Sequence, residues 1–142
     1  SGGALGLSEA DVAAAGSVAE AVRGLTGGRG VDLAFDAVGS AATRQTCLAA
    51  AAVGGQVVLV GLHSDETSLP LNTVVRSETR LTGVFAYNEL DFRTALAWFE
   101  QGRLGLVEGL VVAPLSAGAE WFARLVAGDP AAKVLLEPTQ VR

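Results

Sequence analysis

Apolar positions recur along the chain with two distinct periods. Val18, Ala21, Val22 and Leu25 fall at i, i+3, i+4 and i+7, one face of a helix. Ser17 opens that helix with Glu20 three residues on, the spacing of a capping box. Gly27 and Gly28 close it, because glycine tolerates the left-handed position after a helix. The next run, VDLAFDAV from Val31 to Val38, has strand length and little alternation, as expected for a strand covered on both faces. Gly39 turns the chain and Ser40 caps a second helix with Cys47, Leu48 and Ala51 on its inner face. Gly54 and Gly55 are expected to stop it, and Gln56 to Leu62 to form the next buried strand.

The pattern then loosens. HSDETSLPLN is polar and carries a proline, so it reads as a loop, and residues 73–80 are open between a short helix and an edge segment. Arg80 to Tyr87 reads as a strand. Asn88 caps a helix with Phe92, Ala95, Leu96 and Phe99 on one face, and Gly102 ends it. Residues 109–115 form a short strand, Ser116 opens a helix carrying Ala119, Phe122, Ala123 and Val126, and Lys133 to Pro138 is a last strand. Residues 9–15 read as a short strand before the first helix. Two buried strands joined by a helix imply a parallel pair with a right-handed crossover, hence an α/β sheet with helices on both faces.

Composition narrows the function. The chain has 142 residues, half of them hydrophobic and 18% charged, which suits one core-forming domain. Ten basic against fifteen acidic residues give a net charge of -5, which argues against a nucleic-acid surface. Apolar runs fall short of a membrane span, and the first residues have no signal-peptide pattern. One cysteine, Cys47, and one histidine, His63, make neither an internal disulfide nor a closed Cys/His zinc site, and a reducing cytoplasm is the expected compartment.

A dinucleotide fingerprint needs G-x-G-x-x-G after a strand and opening a helix. Gly27, Gly28 and Gly30 precede a strand, so they serve as helix stop and strand start. The informative positions are the carboxyl ends, Val38-Gly39 and Val60-Gly61-Leu62, which lie side by side in a parallel pair on the edge where ligands bind. Small apolar walls there suit a flat ring or a ribose. Asp32 and Asp36 are expected at the start and tip of one strand, not as an acid/base pair. His63, Asp65 and Glu66 read as solvated, Cys47 as packed and inert, and Trp98 and Trp121 as core or interface.

The ordered set LTGGRGVDLAFDAVG, GGQVVLVGL, PLN, SETRLTGVFAY, FRTALAWFEQGRL, VVAPLSAGAEWFARLVAG and AKVLLEP resembles the C-terminal part of the medium-chain dehydrogenases, the zinc-containing alcohol, sorbitol and threonine dehydrogenase superfamily. The resemblance runs through nearly the whole chain. It implies a Rossmann-type, doubly wound parallel sheet without its first two strands: residues 1–87 as a partial dinucleotide-binding domain and 88–142 as C-terminal helices and strands. It also implies a nicotinamide oxidoreductase, with NAD or NADP as cofactor and an alcohol or carbonyl as substrate.

By that resemblance Ala37, Val38 and Gly39 lie beside the adenosine and ribose side, and Val60, Gly61 and Leu62 against the nicotinamide. Gly83, Val84, Phe85 and Ala86 meet the carboxamide, and Lys133 reaches the pyrophosphate. The catalytic zinc ligands, the glycine turn and the residue selecting NAD or NADP belong to family segments this chain does not match, so the isolated chain is expected to be inactive. No catalytic or metal-binding residue is assigned within it. The outer edge of the strand from Val31 to Val38 is expected to stand open and to favour self-association, with a homodimer contact near Val84. The competing expectation is a non-catalytic Rossmann-like module for oligomerisation or nucleotide binding.

Overall fold

The structure, a computed structural model, describes residues 6–105 and 109–138. The chain divides into two compact units, Ser1–Ala86 and Tyr87–Arg142. In the first, helices α1 (Glu9–Ala15) and α2 (Val18–Leu25) precede strand β1 (Val31–Asp36), helix α3 (Ala41–Ala50), strand β2 (Ala51–Leu59), helix α4 (Leu71–Arg76) and strand β3 (Arg80–Gly83). The strands form a parallel sheet in the order β1-β2-β3. In the second unit, helix α5 (Glu89–Glu100) leads to strand β4 (Leu110–Pro114), a single 3-10 turn (Leu115–Ala117), helix α6 (Gly118–Val126) and strand β5 (Lys133–Glu137), with β4 and β5 parallel.

Local chemistry explains most boundaries. The Ser17 hydroxyl accepts the Glu20 amide proton at 3.2 Å and fixes the start of α2. Ser40 and Thr43 form a reciprocal capping box at the start of α3. The core of the first unit gathers around Val57, which is fully buried, with Val58, Leu48, Ala21 and Ala50–Ala52.

Three expectations change. Residues 9–15 form a helix, not a strand: Ser8 and Asp11 make a capping box, alanine favours the helix, and Gly16 closes it at φ 88°. No strand therefore exists near Val12. The second change concerns Gly54 and Gly55, which do not stop α3. The helix ends at Ala50 and β2 begins at Ala51, so the glycines lie within β2, where the register with β1 breaks between Val31 and Leu33. Arg23 stops the helix by donating to the Ala49 carbonyl at 3.2 and 2.8 Å. Gly55 fits because an added Cβ would lie 2.9 Å from the Ala52 oxygen.

The third change concerns cover. Along β1, Ala34 and Asp36 turn inward, whereas Leu33 and Phe35 are 47% and 62% exposed. The unbroken apolar run thus has only one face covered in this chain. Similarly, Phe92, Leu96 and Phe99 of α5 are exposed. The ambiguous stretch 73–80 resolves as the end of α4, a turn through Glu78 at φ 51°, and the start of β3.

Candidate functional site

The three strands of the first unit end in register, with Asp36 opposite Leu59 and Leu59 opposite Gly83. The chain continues this alignment past the strand ends. The amides of Val60 and Gly61 both donate to the Asp36 carbonyl at 2.9 Å, and the Val84 amide donates to the Leu59 carbonyl at 3.0 Å. Ala37-Val38-Gly39, Val60-Gly61-Leu62 and Val84-Phe85-Ala86 are thereby brought to one carboxyl edge. Ala86 holds a left-handed backbone at φ 51° without being glycine.

Asp36 organises this edge from beneath. It is 2% exposed, and its Oδ1 accepts from the Val38 amide at 3.1 Å and the Gly39 amide at 2.9 Å. This is the local turn an aspartate makes with amides two and three residues on. Burial works most strongly against its ionisation. The Gly39 amide, the Thr43 hydroxyl, the Val38 amide and the Arg44 charge together outweigh burial and hold the carboxyl below its ordinary value.

Gly39 and Gly61 touch each other. A Cβ built on Gly39 would overlap the Gly61 carbonyl, and one on Gly61 would overlap the Val38 carbonyl carbon and the Gly39 amide. His63 donates to the Val38 carbonyl at 3.2 Å and Ser64 to that of Gly39 at 3.0 Å, so the loops after β1 and β2 run against each other backbone to backbone. Loop packing accounts for both glycines. The surface left open for a ligand consists of the side chains around them: Val38 is 55% exposed, and Val60, Leu62 and Phe85 are exposed as well.

Residues 5–101 match the family described as zinc-binding dehydrogenase. The chain belongs to this family. A probable D-xylulose reductase A from Arthroderma otae is 36% identical over 81 residues, 57% of this chain and 23% of the relative. An alcohol dehydrogenase from Aeropyrum pernix superposes with a TM-score of 0.74 at 27% identity, covering 84% of this chain and 34% of that one. A structure described as an NAD-dependent alcohol dehydrogenase gives 0.71 at 30% identity, again with 84% and 34% coverage. The chain therefore spans about a quarter to a third of the length of these relatives.

In this zinc-binding dehydrogenase chain the edge suits some parts of a dinucleotide better than others. Exposed valine, leucine and phenylalanine side chains beside backbone carbonyls and amides fit a flat ring and its ribose. The start of α3 does not fit a phosphate: Ser40 and Thr43 already cap it, and the Asp36 carboxylate lies directly against Thr43 and Gly39. Among the described residues, no group of three or more His, Cys, Asp or Glu side chains could hold a metal ion.

Lys133 lies in the second unit, exposed at the start of β5 opposite Leu110. His63 is exposed, and Asp32 is at the surface in an ion pair with Arg29. Burial, followed by the Asp36 charge, pushes the Cys47 thiol up and leaves it a poor nucleophile. Trp98 is covered by the Arg103 guanidinium at 4.7 Å and Trp121 by that of Arg124 at 3.8 Å. Sequence reasoning passed over Arg44. Its signal was faint, an arginine one turn inside a helix whose cap follows a buried aspartate.

Proposed function

We propose that this chain forms the nicotinamide-side half of the cofactor domain in an NAD(P)-dependent dehydrogenase that interconverts an alcohol or polyol and its carbonyl. The observation that carries this reading is the convergence of Val38, Val60, Leu62 and Phe85, all exposed and apolar, on the carboxyl edge of a parallel sheet. The family match and the alcohol and polyol dehydrogenases among its relatives support the chemistry. Bound there, the nicotinamide supplies or accepts the hydride. The chain's own part is to position the ring through Val60, Leu62, Val84 and Phe85, with Ala37, Val38 and Gly39 toward the ribose and Gly61 and Ala86 shaping the backbone between. Lys133 is proposed to meet the pyrophosphate in the complete enzyme.

Zinc and the phosphate-binding turn belong, in this proposal, to the part of the enzyme that this chain does not span. The chain alone then turns over no alcohol and binds dinucleotide only weakly. No described helix is long and apolar enough to cross a membrane. A cytoplasmic location is supported by the single unpaired cysteine, Cys47. Self-association is supported by the open β1 face at Leu33 and Phe35.

Titration with NAD and NADP, followed by calorimetry and by amide chemical shifts, tests the reading. The expected result is affinity in the millimolar range or weaker, because the pyrophosphate site at a glycine-turn helix start is not in this chain. Shifts should cluster at Val38, Val60, Leu62 and Phe85. Micromolar affinity, or shifts confined elsewhere, would overturn the proposed division of the site.

A further inference from the structure

We infer that Arg44 is a positioning residue that locks the loop after β1 to the loop after β2, and so sets the ring-facing surface of Val60 and Leu62. The inference rests on the cofactor reading above. Arg44 lies on α3, and its side chain is only 13% exposed. Its guanidinium reaches three places at once. Nη2 donates to the Gly61 carbonyl at 3.4 Å, Nη1 donates to the Thr67 hydroxyl at 2.7 Å, and Nε faces Asp36 Oδ2 at 3.8 Å.

Asp36 in turn holds the amides of Val38 and Gly39, and its backbone carbonyl receives those of Val60 and Gly61. One buried aspartate therefore fixes the first loop, and one arginine extends that hold to the second. Gln45, next in sequence, adds a bond to the Ser68 carbonyl at 3.0 Å. The planar fork of arginine suits this task, because its donors point along several fixed directions, whereas lysine offers one compact charge on a flexible stem. Leu62 follows Gly61 directly and is largely solvent-exposed, so its placement depends on the backbone that Arg44 holds.

The test uses the full 142-residue chain and two substitutions, Arg44→Met and Arg44→Lys. Amide hydrogen exchange is read at His63 and Ser64, which bond across to Val38 and Gly39, and at Val57 and Val58 in the sheet. Arg44→Met should speed exchange at His63 and Ser64 by roughly tenfold or more while Val57 and Val58 keep their protection. Arg44→Lys, which retains the charge without the fork, should fall between, and it serves if the methionine variant does not fold. Unchanged exchange at His63 and Ser64, or equal acceleration at all four amides, would overturn the lock.

NADH-induced shifts at Val60 and Leu62 are then compared. They should shrink by about threefold or more in Arg44→Met, the cost of losing preorganisation. Equal shifts in both proteins would overturn the positioning role. No shifts even in the wild type would overturn the cofactor reading instead, whatever the exchange result.

Discussion

Asp36 Oδ2 and Arg44 Nε face each other 3.8 Å apart, both buried and neither hydrogen-bonded. Each residue is satisfied by its other atoms: Asp36 through two backbone amides, Arg44 through a carbonyl and a hydroxyl. The ion pair is thus held by its surroundings more than by its own contact. Removing Asp36 strands the Arg44 charge, because a buried charge without its partner carries the full cost of desolvation, whereas Asp36 keeps its two amide donors when Arg44 is lost.

Asp36→Ala is expected to destabilise the first unit by about 3 kcal/mol, the loss typical of breaking a buried pair. It strands the Val38 and Gly39 amides as well as Arg44. Asp36→Asn keeps an oxygen for those amides and should cost less. Urea denaturation of the three proteins gives the order, and a loss in Asp36→Ala no larger than that in Asp36→Asn would contradict it.

The same residue sets a pH dependence. The folded Asp36 carboxyl is held below its ordinary value, so the carboxylate form is the one that folding favours. Its contribution is complete above the unfolded value of about 3.9 and is lost as pH falls through the lower folded value. Asp11, held low by Ser8, Asp32, held low by Arg29, and Asp129, held low by the Ala131 amide and Arg124, respond in the same direction. The difference between wild type and Asp36→Asn isolates Asp36. Stability curves across the acid range should converge as pH falls and separate above it, and parallel curves would refute the assignment.

Gly61→Ala should be among the most damaging glycine changes, because its Cβ meets backbone on the opposing loop. A loss of about 2 kcal/mol or more is expected, in the range of overpacking a closed site. Gly54→Ala is the control. Its φ of 74° is strained for alanine but its surroundings are open, so a loss near 1 kcal/mol is expected from conformation alone. Thermal unfolding that ranks Gly54→Ala as the worse of the two would refute the close-approach account.

Arg23→Ala removes the cap on α3. The guanidinium donates twice to Ala49 and once to Gly28, at 3.2 Å in the latter case. A loss of about 1 to 2 kcal/mol is expected for charge-assisted bonds at a partly exposed helix end. Denaturation tests the size, and exchange of the last amides of α3 should rise before those of Val57.

Concentration-dependent self-association through exposed Leu33 and Phe35 is the expected outcome of the proposed reading. Sedimentation velocity should show mass rising with concentration, and Phe35→Lys should suppress it. A wild-type chain that stays monomeric over a wide concentration range would remove this expectation.

The alternation of helices and strands, the parallel pairing and the edge where Val38-Gly39 and Val60-Gly61 meet were all legible in the order of residues. These follow from local signals: capping serines at 17 and 40, apolar runs of strand length, and turn glycines. Sequence reasoning misjudged 9–15 because a short alanine-rich stretch has no clear period, and the Ser8–Asp11 box decides it. It misplaced the end of α3 because the deciding cap, Arg23, lies 26 residues upstream of Ala49. Only the tertiary structure could show that Gly39 and Gly61 are required by each other, or that Arg44 reaches Asp36, Gly61 and Thr67 together. Periodicity records which face of an element is apolar. A close approach between two loops, or a side chain spanning three elements, depends on distances that exist only once the sheet has brought their ends together.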